Sequence, residues 1–383
     1  MRHVGIEGST LFGQPTGVGQ YAKRLTEALG QQESDINFEI IRHWLPFKKL
    51  RPPIQPFQHL SYRLVRWFPP AVYFQIFKRL GWFIPYDWIA LRGYEAVLFY
   101  NFVSFPLSSK TKSVVFIHDL SFVHYSNLLL SKNAKYLTRF VPLSLKRASQ
   151  IVAVSQSTKN QIVDCYKIAP SKISVIPPAV DTKVFAPRPD DQIKSVMNKY
   201  NLSTEKYILF TGTIEPRKNI AGLLEAYSQL PSELTKQYSL VLAGGKGWQD
   251  ESILSKITEL QHQNFKIIQT GYVDDQDLPA VYSGASVFVY PSIYEGFGIP
   301  PLEAMACGVP VITSNKASLP EVTGKAALLI KPENPAEIAE AIQKILTDSV
   351  LANSLKAKGF DQVKKFSWDK SAQQLIELIN ELH

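Results

Sequence analysis

Short apolar runs alternate with longer stretches of helical periodicity throughout the first half of the chain. The apolar runs do not alternate strictly between apolar and polar residues, which is typical of parallel strands buried on both faces of a sheet. Strands are predicted at 2–6, 36–41, 96–100, 113–120, 150–155 and 173–178, and helices at 18–30, 131–148 and 156–166. This order of elements predicts a parallel sheet covered by helices.

The same pattern starts again in the second half, after a polar and proline-bearing linker at 181–191. Strands are predicted at 206–212, 238–245, 265–272, 286–292, 310–314 and 326–330, with helices that include 217–230, 275–283 and 300–307. We therefore expect an α/β protein with two Rossmann-like doubly wound domains that face a cleft. Ligands of such sheets bind beyond the carboxyl ends of the strands, so the loops after strands should form the site.

Length and composition agree with this architecture, since 383 residues are enough for two domains. The two cysteines, Cys165 and Cys307, lie far apart. That argues against a disulfide framework or a zinc site and favours a reducing compartment. We see neither a signal-peptide pattern nor a run of roughly 18 uncharged apolar residues. The expectation is a cytoplasmic protein that does not span a membrane.

The net charge of +9 is concentrated in one segment, residues 42–92, which we call the basic aromatic segment. It contains nine Lys or Arg, one acid (Asp87) and thirteen aromatic residues. The rest of the chain is nearly neutral, so nucleic acid is not an expected partner. Rings beside cations are typical of surfaces that lie on anionic membranes, which predicts peripheral contact with the inner face of the membrane. An ordinary helical core with solvated cations, or a lid on the acceptor domain, are the other interpretations.

The stretch YEGFGIPPLEAMACGVPVI, residues 294–312, carries two carboxylates around a glycine loop and a pair of prolines. The prolines open a predicted helix, whose N-terminus suits an anionic ligand. Glu303, expected in the first turn, can accept hydrogen bonds from the vicinal hydroxyls of a ribose. Glu295 can reach another part of the same ligand. Alternatively, Glu303 only complements its helix dipole and Glu295 is solvated.

A second stretch, GTIEPRKN at 212–219, follows the first predicted strand of the same domain and brings two cations to a loop-to-helix junction. Arg217 and Lys218 would oppose the dipole of that helix unless an anion is bound there. They could neutralise a departing diphosphate without a metal, because no carboxylate pair that would hold a magnesium diphosphate is apparent. The alternative is a pair of solvated surface charges.

Four stretches of the chain resemble the donor-binding domain of retaining GT-B glycosyltransferases. They are GTIEPRKN, AGG, GYVDDQDLPAVYSGASVFVYPS and the stretch 294–312, whose part before the two prolines we call the glutamate loop. The resemblance is to family 4, or group 1, with mannosyltransferase-like members, and it is strongest over 206–330. It implies an N-terminal acceptor domain at 1–185, a donor domain at 186–366, and a C-terminal helix at 367–383 that packs on the N-terminal domain. It also implies front-face chemistry with no metal or other cofactor.

The resemblance implies a role for each matching position. Arg217 and Lys218 correspond to the diphosphate-binding pair, Glu295 to the carboxylate that contacts the donor sugar, and Glu303 to the ribose ligand. The remaining donor contacts are expected from Phe297, Gly298 and Ile299 in the loop, from Gly212 and Gly244 at strand ends, and from Tyr272 and Val273 beside the base.

The N-terminal side offers weaker signals. Gly17 and Gly19 satisfy G-x-G-x-x-A, but the motif does not directly follow its strand, so the rival dinucleotide site is less favoured. By resemblance these glycines lie in a loop before the first helix and approach the donor phosphates and the acceptor. His118, at the end of a predicted strand, is a catalytic candidate by resemblance, although a lone histidine is commonly structural. Ser155 is expected to cap the next helix.

These observations predict a retaining, metal-independent glycosyltransferase. It would move a sugar, with mannose from GDP-mannose as the first guess, to a saccharide or lipid-linked saccharide acceptor. A sugar-nucleotide epimerase of the same architecture and a non-enzymatic peripheral membrane protein with a degenerate site are the alternatives. The intact set of Arg217, Lys218, Glu295 and Glu303 argues against degeneracy.

Overall fold

The computed structural model describes residues 2–12, 17–43, 54–65, 85–89, 91, 93–126, 131–202, 206–245, 247 and 251–382. The backbone forms two compact units, Met1–Pro178 with Trp368–His383, and Ala179–Ser367. The division falls a few residues before the boundary that the sequence suggested after residue 185.

Thirteen strands are present in the described ranges, and all of them belong to two sheets. They are β1 (Arg2–Glu7), β2 (Ile36–His43), β3 (Leu60–Val65), β4 (Ala96–Phe99), β5 (Lys112–Ile117), β6 (Gln150–Ala153), β7 (Ile173–Val175), β8 (Tyr207–Thr211), β9 (Ser239–Ala243), β10 (Ile267–Gly271), β11 (Val287–Tyr290), β12 (Val311–Ser314) and β13 (Ala327–Ile330).

The α-helices of the described residues cover or connect these strands. They are α1 (Gly17–Gln31), α2 (Tyr86–Ile89), α3 (Ser121–His124), α4 (Ser131–Arg147), α5 (Gln156–Tyr166), α6 (Asp190–Lys199), α7 (Ile220–Ser228), α8 (Ser232–Gln237), α9 (Glu251–His262), α10 (Leu278–Ser283), α11 (Ile299–Ala306), α12 (Leu319–Thr323), α13 (Pro335–Thr347), α14 (Ser349–Val363) and α15 (Trp368–Asn380).

The sheet of the first unit has the order β3-β2-β1-β4-β5-β6-β7, and its pairs are parallel. Strand β3 corrects the sequence prediction, which treated its residues as part of the basic aromatic segment. Among the described strands it lies at the edge of the sheet and pairs on one side, so its sequence needs less burial than a central strand. Leu60 is buried, whereas the guanidinium of Arg63 lies over the ring of Tyr94 at 5.4 Å.

The sheet of the second unit has the order β10-β9-β8-β11-β12-β13, again with parallel pairs. All six strands predicted for this half are present, and the predicted doubly wound α/β class is confirmed. The order reverses between β8 and β11, which is the switch point where ligands of such sheets bind. Both β8 and β11 are completely buried along their length, as expected for apolar runs without alternation.

The C-terminal helix α15 belongs to the first unit. Arg2 donates hydrogen bonds to Oδ1 of Asn380 at 2.8 Å and to the carbonyl of Ile379 at 3.0 Å. Ser371 Oγ donates to the carbonyl of Pro177 at 2.6 Å. The ring of Trp368 packs edge-on against Tyr21 of α1, with ring centroids 5.6 Å apart. Polar and aromatic contacts therefore fix both ends of this helix.

The predicted membrane contact falls largely on residues 44–53 and 66–84, which lie outside the described residues. Within the ranges that the structure describes, no helix is both long and apolar enough to cross a membrane.

Candidate active site

Two glycines form the floor of the candidate site where β8 and β9 end. Gly212 has φ +134°, a conformation that residues with a side chain rarely adopt. A Cβ added to Gly244 would lie 1.9 Å from the carbonyl oxygen of Gly212, so no side chain fits there. The amide of Gly212 donates to the carbonyl of Ala243 at 2.9 Å. Both predicted glycines are therefore required for the two strand ends to approach each other.

The two predicted cations, Arg217 and Lys218, lie in a 3₁₀ turn, Pro216–Lys218, rather than in an α-helix. Helix α7 begins later, at Ile220, because Asn219 adopts a left-handed conformation with φ 56°. The carbonyl of Arg217 accepts a hydrogen bond of 2.9 Å from the amide of Ile293. This contact joins the turn after β8 to the loop after β11, on the two strands that flank the switch point.

A network of ion pairs connects the cations to two carboxylates. Arg217 donates through Nη1 to Oε2 of Glu295 at 2.8 Å and to the carbonyl of Tyr294 at 2.7 Å, and through Nη2 to Oε1 of Glu215 at 2.7 Å. Lys218 Nζ lies 2.6 Å from Oε1 of Glu295. The expectation from the sequence was that a bound anion balances these cations. In the structure Glu215 and Glu295 balance them, so the two positive charges do not by themselves indicate a bound anion.

Burial and charge compete in this network. Glu295 is 8% exposed. Burial by itself would raise the pKa of Glu295, but the positive charges of Arg217 and Lys218 outweigh it and lower the pKa to about 2. Burial lowers the pKa of Lys218, and the nearby Glu295 opposes that shift. Burial likewise raises the pKa of Glu215, against the charge of Arg217. The four groups form a cluster whose formal charges cancel, with both carboxylates buried and the side chains of Arg217 and Lys218 16% and 11% exposed.

A tyrosine that the sequence analysis did not single out completes the network. The hydroxyl of Tyr290 accepts a hydrogen bond from Lys218 Nζ and donates one of 3.0 Å to Oε1 of Glu295. Its ring is stacked with the rings of Phe210 and Phe288, with centroid distances of 6.0 Å and 5.9 Å. Tyr290 is the last residue of β11, and its place at a strand end next to a glycine loop is the signal that could have identified it.

The glutamate loop is held by hydrogen bonds to its backbone. Ser318 Oγ lies 2.9 Å from the carbonyl oxygen of Glu295 and 2.8 Å from that of Phe297. Gly298 has φ +97°, and a Cβ there would lie 2.6 Å from Cδ2 of Leu319. Helix α11 begins directly afterwards, at Ile299. The loop conformation therefore depends on glycine at 298 and on a serine contributed by a different loop.

Glu303 lies one full turn into α11, not in its first turn as predicted, because the helix starts at Ile299. Its Oε2 accepts a hydrogen bond of 2.8 Å from the hydroxyl of Tyr282, which is itself 2.7 Å from Oγ1 of Thr211. Burial raises the pKa of Glu303 to about 7, although the bond from Tyr282 opposes the shift. Glu303 is half-buried, and a pKa near 7 means that it is readily protonated at neutral pH. The hydroxyls of Tyr282 and Thr211 connect its carboxylate to the end of β8.

The segment predicted to lie beside the base follows β10. Tyr272 is 66% exposed, and its hydroxyl donates to Oδ1 of Asp275 at 3.1 Å, whereas Val273 is buried. Gly271, at the end of the strand, has φ +69° and turns the chain. An exposed aromatic ring beside a strand end provides a flat surface of the kind that stacks on a base.

The N-terminal candidates occupy the first unit. Gly17 and Gly19 lie in the first turn of α1, so the expected loop before the helix is corrected to the helix itself. Ser155 caps α5 by accepting a hydrogen bond of 3.0 Å from the amide of Thr158, as predicted. The G-x-G-x-x-A motif thus begins a helix, and the residues just before it, 13–16, lie outside the described ranges.

His118 is buried among aromatic rings. Its Nε2 lies 2.6 Å from the carbonyl oxygen of Tyr100, and its ring packs edge-on against Tyr21 and Phe102 at 5.2 Å and 5.4 Å. A carbonyl only accepts hydrogen bonds, so Nε2 carries the proton and Nδ1 is the acceptor in the neutral ring. Burial lowers the pKa of His118, which keeps the ring neutral near pH 7. The geometry fits a structural histidine, and within the described ranges it leaves Nδ1 as an acceptor for a hydroxyl.

No group of three or more His, Cys, Asp or Glu side chains in the described part of the chain could hold a metal ion. The structure brings the predicted residues Arg217, Lys218 and Glu295 into contact. Glu303 lies on α11, the helix that follows the loop of Glu295. Glu215, Tyr282, Tyr290 and Ser318 are the partners that sequence reasoning missed.

Two family models match this chain. Residues 192–362 match the family model for glycosyl transferases group 1, and residues 15–184 match the model for glycosyltransferase family 4. The chain is 37% identical to O-antigen chain mannosyltransferase B of Escherichia coli over 75% of each protein. It is also 37% identical to the serotype-specific mannosyltransferase WbdA of Escherichia coli, over 70% of this chain and 33% of that longer protein.

The fold has a close counterpart among solved structures. Sucrose-phosphate synthase from Thermosynechococcus elongatus superposes with a TM-score of 0.72 at 23% identity, and the match covers 100% of this chain and 99% of that one. At that level of identity the likeness concerns the fold alone.

Proposed function

We propose that this chain, which belongs to the group 1 glycosyltransferases of family 4, transfers mannose from a nucleotide-diphosphate donor to a saccharide acceptor. The mannosyltransferases to which it is 37% identical support the choice of sugar. The observation that carries the proposal is the cluster of Arg217, Lys218 and Glu295 at the switch point of the second sheet. The match to the glycosyltransferase family model and to mannosyltransferases does not favour the epimerase or the non-enzymatic alternative.

In this proposal the nucleotide-sugar donor binds to the second unit. Arg217 and Lys218 would hold the diphosphate, whose oxygens replace or join the carboxylate of Glu295 as their partners. Glu295 would contact the mannosyl group, beside the loop backbone of Phe297, Gly298 and Ile299. Glu303 would accept hydrogen bonds from the ribose. Gly212 and Gly244 would lie against the nucleotide, and Tyr272 and Val273 beside the base.

The reaction that fits this arrangement is a front-face transfer with retention. The bond between the anomeric carbon and the diphosphate oxygen breaks, the acceptor oxygen bonds to the same face of that carbon, and the acceptor proton passes to the departing diphosphate. The negative charge on the diphosphate grows as the bond breaks. Two fixed cations therefore stabilise the transition state more than the bound donor, which is the condition for catalysis.

The acceptor side is assigned to the first unit. Nδ1 of His118 would accept a hydrogen bond from a sugar hydroxyl, because Nε2 is already held by the carbonyl of Tyr100. Gly17 and Gly19 would allow close approach of ligand to the first turn of α1. The acceptor we propose is a saccharide or a lipid-linked saccharide. Contact of the basic aromatic segment with anionic lipid would suit a lipid-linked acceptor, and the nine cations and thirteen aromatic residues of the segment support it.

The test is a transfer assay with GDP-, UDP- and ADP-sugars, with short mannosides and lipid-linked mannosides as acceptors. Each reaction is run once with EDTA and once with Mg²⁺ in place of EDTA. We expect transfer of mannose from GDP-mannose at a rate that Mg²⁺ does not increase, with the product in the anomeric configuration of the donor. Activity that appears only with Mg²⁺ would reject the metal-free mechanism. A product of opposite configuration would reject retention but leave the transferase assignment intact.

A further inference from the structure

We propose that Tyr282 is a positioning residue that fixes the carboxylate of Glu303 for the ribose hydroxyls of the donor. The inference rests on the proposed function, because it assumes that Glu303 binds the ribose. Tyr282 belongs to α10, Glu303 to α11, and Thr211 is the last residue of β8. Three different elements therefore meet at one hydroxyl, that of Tyr282.

The two hydrogen bonds that connect Thr211, Tyr282 and Glu303 run in one direction. The phenol of Tyr282 has a single proton, and Oε2 of Glu303, at 2.8 Å, can only accept it when the carboxylate is ionised. The bond of 2.7 Å between Tyr282 and Thr211 must then use the proton of the threonine hydroxyl. Thr211 thus donates to Tyr282, and Tyr282 donates to Glu303. The direction makes the tyrosine a fixed donor rather than a group that rotates between partners.

The ring of Tyr282 is held as firmly as its hydroxyl. It is fully buried and packs edge-on against Phe288 and Phe185, with centroid distances of 5.4 Å and 6.0 Å. Burial also raises the pKa of the phenol well above its usual value, so it stays protonated. A phenol that neither moves nor ionises anchors one oxygen of Glu303. In the described part of the chain, the other oxygen, Oε1, receives no hydrogen bond and is left for a ligand.

The same bond opposes protonation of Glu303. Burial raises the pKa of Glu303 to about 7 and the charge of Asp275 adds to the shift, whereas the bond from Tyr282 lowers the pKa. Cys307, which directly follows the same helix, keeps its proton because burial raises its pKa to about 12. A protonated Glu303 has lost part of its capacity to accept from a hydroxyl. Tyr282 therefore acts on the ribose contact through both the orientation and the ionisation of the carboxylate.

The experiment compares two ligands, GDP and 2′,3′-dideoxy-GDP, by calorimetry at pH 8 with wild type and Tyr282→Phe. The ratio of the two affinities measures the contribution of the ribose hydroxyls. We expect wild type to prefer GDP by about tenfold or more, since hydrogen bonds to a charged acceptor contribute about 1.5–3 kcal/mol. Tyr282→Phe should lower that ratio about fivefold, with little change for dideoxy-GDP. UDP and ADP with their dideoxy forms are measured in the same way.

The matched control is Tyr227→Phe, which removes another buried phenol of the same unit. The hydroxyl of Tyr227 donates to the carbonyl of Tyr238 at 2.8 Å and does not bond to Glu303. The control variant should therefore keep the wild-type ratio. If Tyr282→Phe does not fold, as judged by circular dichroism, Thr211→Val removes the donor behind the tyrosine and should lower the ratio to a smaller extent.

Several results would overturn the inference. An unchanged ratio in Tyr282→Phe, or an equal loss of affinity for both ligands, would assign the tyrosine a structural role only. A wild type that transfers mannose but binds GDP and dideoxy-GDP equally would remove Glu303 from the ribose and leave the proposed function standing. Failure of wild type to bind any nucleoside diphosphate would count against the proposed function itself, and the inference would fall with it.

Discussion

Lys218 Nζ lies 2.6 Å from Oε1 of Glu295, two residues that are 77 positions apart in the chain. The contact brings a cation from the turn after β8 to a carboxylate from the loop after β11. These strands are neighbours in the sheet although β9 and β10 separate them in sequence. Lys218 and Arg217 thus place two positive charges at the edge where doubly wound sheets bind ligands.

Replacement of Arg217 by alanine should lower turnover with the donor by about 10²-fold or more, because a fixed charge aimed at the leaving group is lost. Steady-state kinetics with the donor identified in the transfer assay give this value. Arg217→Lys is the control, since it keeps the charge but cannot bridge Glu295 and Glu215 as a planar guanidinium does. Turnover of the alanine variant near that of wild type would remove Arg217 from the mechanism.

The ionised form of Glu295 should stabilise the folded protein at neutral pH. Its pKa falls from 4.5 to about 2 on folding, so this contribution is fully present above pH 4.5 and is lost as the pH falls towards 2. The melting temperature of Glu295→Gln should therefore lie below that of wild type at pH 7, and the difference should narrow between pH 4.5 and about 2. Melting curves across this range check the prediction, and a difference that is constant with pH would contradict it.

Replacement of Tyr290 by phenylalanine should disturb the orientation of Lys218 and Glu295 without unfolding the protein. The variant keeps the ring that is stacked with the rings of Phe210 and Phe288 but loses the hydroxyl shared by Lys218 and Glu295. We expect turnover to fall about tenfold with the fold intact, as judged by circular dichroism, because a buried charged pair loses one hydrogen bond. Unchanged turnover would show that the hydroxyl has no part in the reaction.

The basic aromatic segment should bind anionic lipid. Simultaneous replacement of Lys48, Lys49, Arg51, Lys78 and Arg79 by glutamine should weaken binding to phosphatidylserine vesicles, since each such cation contributes about 1 kcal/mol near the surface. Cosedimentation with vesicles at two salt concentrations measures this. A variant with five surface cations of the second unit replaced, Lys236, Lys256, Lys316, Lys325 and Lys358, is the control for charge alone. Equal binding by wild type and the segment variant would reject membrane contact.

Much of the fold was accessible from the sequence, for an identifiable reason. The four inner strands of the second sheet, β9, β8, β11 and β12, are completely buried apolar runs, and their pattern is strong. Strand β3 was missed because an edge strand with Arg63 and Tyr62 among its residues does not show that pattern. The start of α7 was misplaced by three residues, from 217 to Ile220, because a left-handed Asn219 delays the helix and sequence gives no direct sign of it.

The site was predicted only in part. The motifs identified Arg217, Lys218, Glu295 and Glu303, but not that the first three pair with one another. Pairing across 77 or 78 positions depends on which strands become neighbours, and periodicity does not report that. Tyr282 was missed for the same reason, since its partners Thr211 and Glu303 belong to other elements.

The most direct test of the proposed function is calorimetric binding of GDP-, UDP- and ADP-sugars to wild type and to Arg217→Ala, with EDTA present. We expect selective binding of one donor, GDP-mannose first among them, that is strongly weakened in the variant. Absence of binding by every donor in a folded sample, or binding that Arg217→Ala leaves unchanged, would contradict the claim that this charged cluster holds a nucleotide sugar.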